Sequence, residues 1–281
     1  MKQELEVNIW GTRGSLAAPY ADRMEFGGNS SCVSVRWKEG IAVFDCGTGL
    51  HALGQELLSD SDGPKELHIF LSHMHLDHIC ALPFFPLLFE KDRTIHLYGQ
   101  PIEGETLRET LGRVIAPPFW PITIDWAAAA IIWHDLKPGE CLTLSENVIV
   151  QTFQANHGPG ALLFRLEYGE ISMVYGLDHE ITEESREAYE QFAAGSDLLI
   201  FDGMYTEGEY ERCKGFGHSV WNWGVELIDR CKIGTVCISH HDWTRTDAML
   251  TEMEMQAKRM NRRCTFAREG MKFLLGQEAK V

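Results

Sequence analysis

The chain lacks several features that would sort it into a specialised class. No stretch approaches the roughly 20 apolar residues of a membrane helix. The longer apolar runs, such as Ala81 to Phe89, are short and broken by prolines. The first residues, Met1-Lys2-Gln3-Glu4-Leu5-Glu6, have no apolar signal core and carry acids where a transit peptide avoids them. A cytoplasmic location is therefore expected. None of the eight cysteines forms a CxxC pair, which argues against a structural zinc knuckle or a thioredoxin-like site. Several, such as Cys237 in Thr235-Val236-Cys237-Ile238, sit in strand-like runs where a free thiol acts as a small buried hydrophobe. Repeats, low-complexity tracts and Gly/Ser linkers are absent, so a single domain over residues 1–281 is the simplest organisation.

Basic clusters are also scarce. No Lys/Arg run is longer than Arg262-Arg263, and the formal net charge is -16. Phosphate contacts dominate nucleic-acid affinity, so a large nucleic-acid partner is not expected. A small anionic substrate held by a metal remains compatible with this charge.

What the chain does contain is a succession of short strands. Residues 6–10 and 32–37 alternate polar and apolar, and 41–45 and 66–72 are more continuously apolar. Further strands are expected at 147–153, 161–166, 171–175, 197–202 and 235–239, with helices over about 50–58 and 219–230. Strands leading each half, with helices interspersed, predict two packed sheets with helices outside.

The chemistry concentrates in His73-Met74-His75-Leu76-Asp77-His78. If residues 72–75 continue the preceding strand, His73 and His75 point the same way and can grip one ion. Asp77 and His78 then face a second ion at the turn. Imidazole and carboxylate are ligands that zinc, manganese and iron accept. Three further candidates each follow a strand-like run: His157, Asp178 and His240. His240 and His241 are adjacent, and alternation turns only one inward; His240 is favoured because it follows the strand directly.

The pattern His73-x-His75-x-Asp77-His78, with His157, Asp178 and His240 in order behind it, resembles the metallo-β-lactamase superfamily. That resemblance covers nearly the whole chain and implies an α/β fold, a four-layer αββα sandwich with the site at one edge of the sheets. It implies two divalent ions, zinc first, with manganese or iron as alternatives. His73, His75 and His157 would hold one ion and Asp77, His78 and His240 the other, with Asp178 bridging. Asp45, in Phe44-Asp45-Cys46-Gly47-Thr48-Gly49, matches the aspartate that orients the first histidine loop.

Other segments are similar to the branch that includes tRNase Z and small-molecule cyclic phosphodiesterases. These are residues 10–15, 27–32, Asn156-His157-Gly158-Pro159-Gly160, Leu177-Asp178-His179-Glu180 and Gly217-His218-Ser219. The glycine-rich N-terminal loops would let backbone N–H groups approach an anion. The resemblance implies hydrolysis of a phosphodiester by attack of a metal-bridging hydroxide, and the acidic balance together with the 101–135 segment favours a small one, a cyclic nucleotide or cyclic sugar phosphate. Asp77 and His218 are the catalytic candidates, His218 as leaving-group acid or phosphate contact. Arg13, Ser30, His218 and His241 are the candidate substrate contacts.

The segment from Pro101 to Asp135 is acidic and aromatic, with Pro117-Pro118-Phe119-Trp120-Pro121 and Trp126. That departs from an RNA-gripping arm and suggests a lid or a homodimer contact near a small substrate. Rival readings are a tRNA 3′-processing endonuclease, a glyoxalase-like thioesterase or lactone hydrolase, and a non-hydrolytic di-iron protein that binds a small ligand.

Overall fold

The structure is a computed structural model that describes residues 3–60, 63–158 and 160–276. Pro159 of the 156–160 motif lies outside the described residues. Two seven-stranded sheets face each other. Across the first run Lys272–Leu275, Leu5–Gly11, Cys32–Trp37, Gly40–Phe44, Glu66–Leu71, Thr94–Gly99 and Ala130–Asp135. Across the second run Cys264–Phe266, Thr235–Ser239, Leu198–Asp202, Ile171–Gly176, Leu162–Tyr168, Val148–Gln154 and Cys141–Ser145.

Each sheet is antiparallel on one side and parallel on the other. Parallel strands are covered on both faces, so they read as continuous apolar runs. All five residues of Leu198–Asp202 are buried. The inner faces meet through Val35, Phe44 and Phe70 on one side and Val150, Phe164 and Tyr175 on the other. Outside the first sheet, helix Leu50–Ser59 packs Leu50, Leu53 and Leu57 with Ile41, Val43 and Ile69. Outside the second, helices Trp221–Arg230 and Asp247–Met260 pack Val225, Ile228 and Leu250 with Leu199 and Ile238. The layers are helix, sheet, sheet and helix, the αββα sandwich expected from the sequence. Among the described residues no helix is long and apolar enough to cross a membrane.

One local expectation is corrected. The strand before the histidine run ends at Leu71, and residues 72–75 form an extended loop. The Ser72 N–H leaves the sheet ladder and donates to Asp45 Oδ1 at 2.7 Å. A carboxylate thus replaces the strand partner, and the chain is free to turn towards the site.

Helix Asp247–Met260 is tied to the sheet edge by Glu254, which accepts from Phe266 N and Thr265 Oγ1 and pairs with Lys258 and Arg268. Burial opposes its charge, but the Arg268 and Lys258 hydrogen bonds outweigh that and hold the carboxyl at about 2. A carboxyl lowered on folding stabilises above its ordinary value near 4.5, and that stabilisation is lost as pH falls through about 2. Glu254→Gln is expected to cost about 1–2 kcal/mol at neutral pH, most of the charge being screened. Urea titrations of both proteins should converge as pH drops below the ordinary carboxyl range.

Candidate metal centre

Strands Leu5–Gly11, Gly40–Phe44, Glu66–Leu71, Val148–Gln154, Ile171–Gly176, Leu198–Asp202 and Thr235–Ser239 run in one sense within their sheets. The loops that leave their carboxyl ends carry every expected ligand. Among the described residues, five non-glycine residues have positive φ, and four lie at this end of the sheets: Ser15 (62°), Asp45 (64°), Asp178 (59°) and His240 (57°). Side chains disfavour this conformation by about 1 kcal/mol or more. Such strain clusters where a backbone must aim a functional group.

Asp45 is completely buried. Its Oδ1 accepts from Ser72 N, and its Oδ2 accepts from Ser72 Oγ at 2.8 Å and Tyr175 O–H at 2.6 Å, and lies 2.6 Å from His78 Nδ1. It therefore contacts both the start of the histidine loop and the His78 ring.

Among the described residues, two of the three groups of potential ligand atoms are built from the expected ligands alone. His73, His75, His157 and Asp178 have ligand atoms within 4.8 Å of one another, and so do Asp77, His78 and His240. Asp178 serves both groups with different oxygens. Its Oδ2 lies 3.6 Å from His73 Nε2 and 3.5 Å from His157 Nε2. Its Oδ1 lies 3.3 Å from His78 Nε2 and 3.3 Å from His240 Nδ1. This is the disposition a bridging carboxylate needs.

The residues fit a pair of cations. His73 Nε2, His78 Nε2, His240 Nε2 and Asp178 Oδ1 are buried and have no hydrogen-bond partner. Buried polar atoms are rarely left so; of these, His73 Nε2 and His78 Nε2 both face the Asp178 carboxylate, to which His240 presents its Nδ1. Burial pushes His73, His75 and His240 below the usual imidazole range, favouring the neutral ring that binds metal. His78 goes the other way. Burial penalises its charge, but the Asp178, Asp45 and Asp77 carboxylates hold it well above that range. Asp178 is held low, against its burial, by His240 and His78. The centre thus strongly favours positive charge.

Of the adjacent pair, His240 joins the centre and His241 does not. The His241 ring stacks on Phe266 and its Nε2 lies 3.0 Å from Ala267 O. Gly14 makes room for His240: a Cβ there would sit 2.3 Å from the ring. The strand pair His241–Asp242 and Arg13–Gly14 therefore needs glycine where it passes beneath the imidazole.

A second layer was not legible beforehand. Glu180, buried, accepts from Tyr210 O–H, Gly215 N and Gly217 N. This holds the Gly217 carbonyl 2.9 Å from His157 Nδ1, fixing that ring's orientation. Asp202 Oδ2 lies 2.8 Å from His218 Nδ1. Burial works against a charged His218, yet the Asp202 carboxylate prevails and raises it to about 9. His218 also comes within ligand distance of Asp178 and His240.

The centre opens into a cavity of about 500 Å3 lined by His75, Asp77, His157, Asp178 and His218, together with Ser15, Met204, Tyr205, Cys213, Phe216, Asp242 and Trp243. Several expected substrate contacts are corrected here. Arg13 is fully buried and its guanidinium donates to the carbonyls of Gly27, Arg23 and Arg245. Ser30, 1% exposed, is engaged with Thr48. His241 is enclosed as described. Neither the 27–31 backbone nor any of residues 101–135 lines the cavity. Asn29 N instead donates to Glu269, and Phe119 and Trp126 stand exposed beside the edge strand Ala130–Asp135. The walls come from residues 204–218 and 242–243, which no metal-ligand pattern marks.

Replacing His240 with Ala is expected to lower the metal content of the purified protein, whereas His241→Ala should leave the content of the folded fraction unchanged. Elemental analysis by mass spectrometry distinguishes the two. Metal loss in the His241 variant alone would reverse the assignment.

A family model described as the beta-lactamase superfamily domain matches residues 42–241. Ribonuclease Z of Natronomonas pharaonis is 23% identical over 212 residues, 73% of this chain and 62% of that protein. Cleavage and polyadenylation specificity factor subunit 3 of Dictyostelium discoideum is 27% identical over 223 residues, 72% of this chain and 28% of that protein. The chain thus spans less than two thirds of either relative. Among solved structures, the metallo-beta-lactamase fold protein YhfI of Bacillus subtilis superposes with TM-score 0.72 at 18% identity, covering 97% of this chain and 100% of that one. Human tRNase Z, short form, gives 0.70 at 18%, covering 95% and 98%. A diphosphatase of the PhnP family gives 0.69 at 16%, covering 96% and 97%. With its αββα layers, its histidine–aspartate centre and a matching family model over residues 42–241, this chain belongs to the metallo-β-lactamase superfamily.

Proposed function

We propose that this chain is a metal-dependent phosphodiesterase acting on a small phosphodiester, a cyclic nucleotide or cyclic sugar phosphate. The observation that carries this reading is Asp178, whose two oxygens face two separate ligand groups at the floor of a cavity. His73, His75 and His157 would hold one ion, Asp77, His78 and His240 the other, and Asp178 both. The nitrogen and oxygen donors suit zinc first, with manganese or iron as alternatives. When bound, such a pair of ions supplies charge neutralisation at phosphorus and an activated water.

The chain's own residues do the rest. Ser15 N donates to Asp77 Oδ2 at 2.8 Å, which fixes that carboxylate at the cavity floor. His218, its Nδ1 2.8 Å from Asp202 Oδ2, lines the same cavity and, when protonated, donates to the departing alkoxide. Asp202 keeps the imidazole turned for that transfer. Buried Met204 and Tyr205 form part of the wall and limit access of bulk water.

A tRNA-processing reading draws support from relatives named ribonuclease Z. Two observations favour the small substrate. Among the described residues no lysine or arginine lines the cavity, and the chain carries a formal charge of -16. An extended polyanion needs distributed cationic contacts, which these surfaces do not offer at the site.

The test is a hydrolysis screen of metal-loaded protein against bis(p-nitrophenyl) phosphate, 3′,5′- and 2′,3′-cyclic nucleotides, precursor tRNA and a thioester. Turnover of the small phosphodiesters is expected. Turnover confined to precursor tRNA or to the thioester would overturn the reading. His218→Ala should keep its metal and lose about 10²–10⁴-fold in kcat, the usual range for a general acid.

A further inference from the structure

The cavity rim carries two exposed aromatic side chains, Phe216 (66% exposed) and Trp243 (37%). Each sits on a turn held rigid by a buried charge. Phe216 lies between Gly215 (φ 89°) and Gly217 (φ 87°). The N–H groups of both glycines donate to the buried Glu180 carboxylate, at 2.9 and 3.0 Å. Gly217 is obligatory, because a Cβ there would meet His157 Nδ1 at 2.2 Å. Trp243 lies in the turn closed by Arg245 N to Asp242 O. The Arg13 guanidinium, fully buried, donates to Arg245 O at 2.8 Å and Asp242 O at 3.4 Å.

An exposed aromatic ring on a turn whose backbone is tied to a buried charge offers a stacking surface at a set place on the rim, so binding does not have to order the backbone beneath it. Both rings border a cavity whose floor is built for one phosphoryl group. Among the described residues the rest of the rim has no lysine or arginine and includes Asp242, which disfavours a second phosphate. We infer that Phe216 and Trp243 form a clamp for a planar, weakly charged ring attached to the scissile phosphate, so that the substrate is a nucleoside phosphodiester rather than a bare sugar phosphate. This rests on the phosphodiesterase reading and narrows it. It also gives Arg13 and Glu180 a use as positioning residues, holding the turns that carry the rings.

The experiment measures binding, without turnover. Calorimetric titration of metal-loaded protein uses inorganic phosphate, ribose 5-phosphate and adenosine 5′-monophosphate. The wild type is expected to bind the nucleotide at least about tenfold more tightly than ribose 5-phosphate, the range of one base stacked on an aromatic ring. Phe216→Ala and Trp243→Ala should each erase most of that difference while leaving phosphate affinity unchanged. Equal wild-type affinity for nucleotide and ribose phosphate would overturn the clamp. So would variants that weaken all three ligands alike, since that outcome reports on the centre and not on stacking. A base-dependent affinity in a protein that cleaves no phosphodiester would sustain the clamp and sink the phosphodiesterase reading. Cleavage of phosphodiesters with no base dependence would do the reverse.

Discussion

The Asp45 carboxylate is the contact on which the centre depends. It sits at the end of strand Gly40–Phe44 in a left-handed backbone conformation, with no solvent exposure. It binds the first residue of the histidine loop twice, through Ser72 N and Ser72 Oγ. It also contacts His78, in the short helix Leu76–Ile79 that follows that loop, and accepts from Tyr175 O–H of the opposite sheet. One buried charge thus ties the two sheets together where the ligands gather. A buried charge is tolerated only when its hydrogen-bonding capacity is filled, so these partners form a single unit. Losing one leaves the others misplaced.

The same device recurs further out. Glu180 fixes the turn that supplies the Gly217 carbonyl to His157. Asp202 fixes His218. Arg13 fixes the turn after His240. In each case a charge removed from water holds a loop, and the loop presents a ring. The strain at Asp45, Asp178 and His240 is affordable because these anchors overdetermine the backbone.

Much of this was legible in the sequence, for physical reasons. Strands such as Cys32–Trp37 and Thr235–Ser239 announce themselves by their apolar pattern and have the expected limits. Candidate ligands placed directly after strands, His157, Asp178 and His240, follow from how a two-sheet sandwich gathers strand ends at one edge. Other features carried no signal. A positive φ at aspartate or histidine has no sequence mark as glycine does. Arg13, in a glycine-rich motif, reads as a surface cation, and only the fold shows its guanidinium turned inward onto carbonyls. The Pro117–Trp126 cluster is conspicuous in sequence but gathers beside residues 83–89, with Trp120 edge-on to Phe84, away from the cavity. The aromatic residues that reach the cavity, Phe216 and Trp243, are isolated in sequence.

The central claim is that the Asp178 carboxylate organises two ions at once. The direct measurement is metal stoichiometry, by elemental mass spectrometry after dialysis, for the wild type and Asp178→Asn. The account predicts two ions per wild-type chain and one or fewer in the variant. A wild type that saturates at one ion, or a variant that retains two, would contradict it.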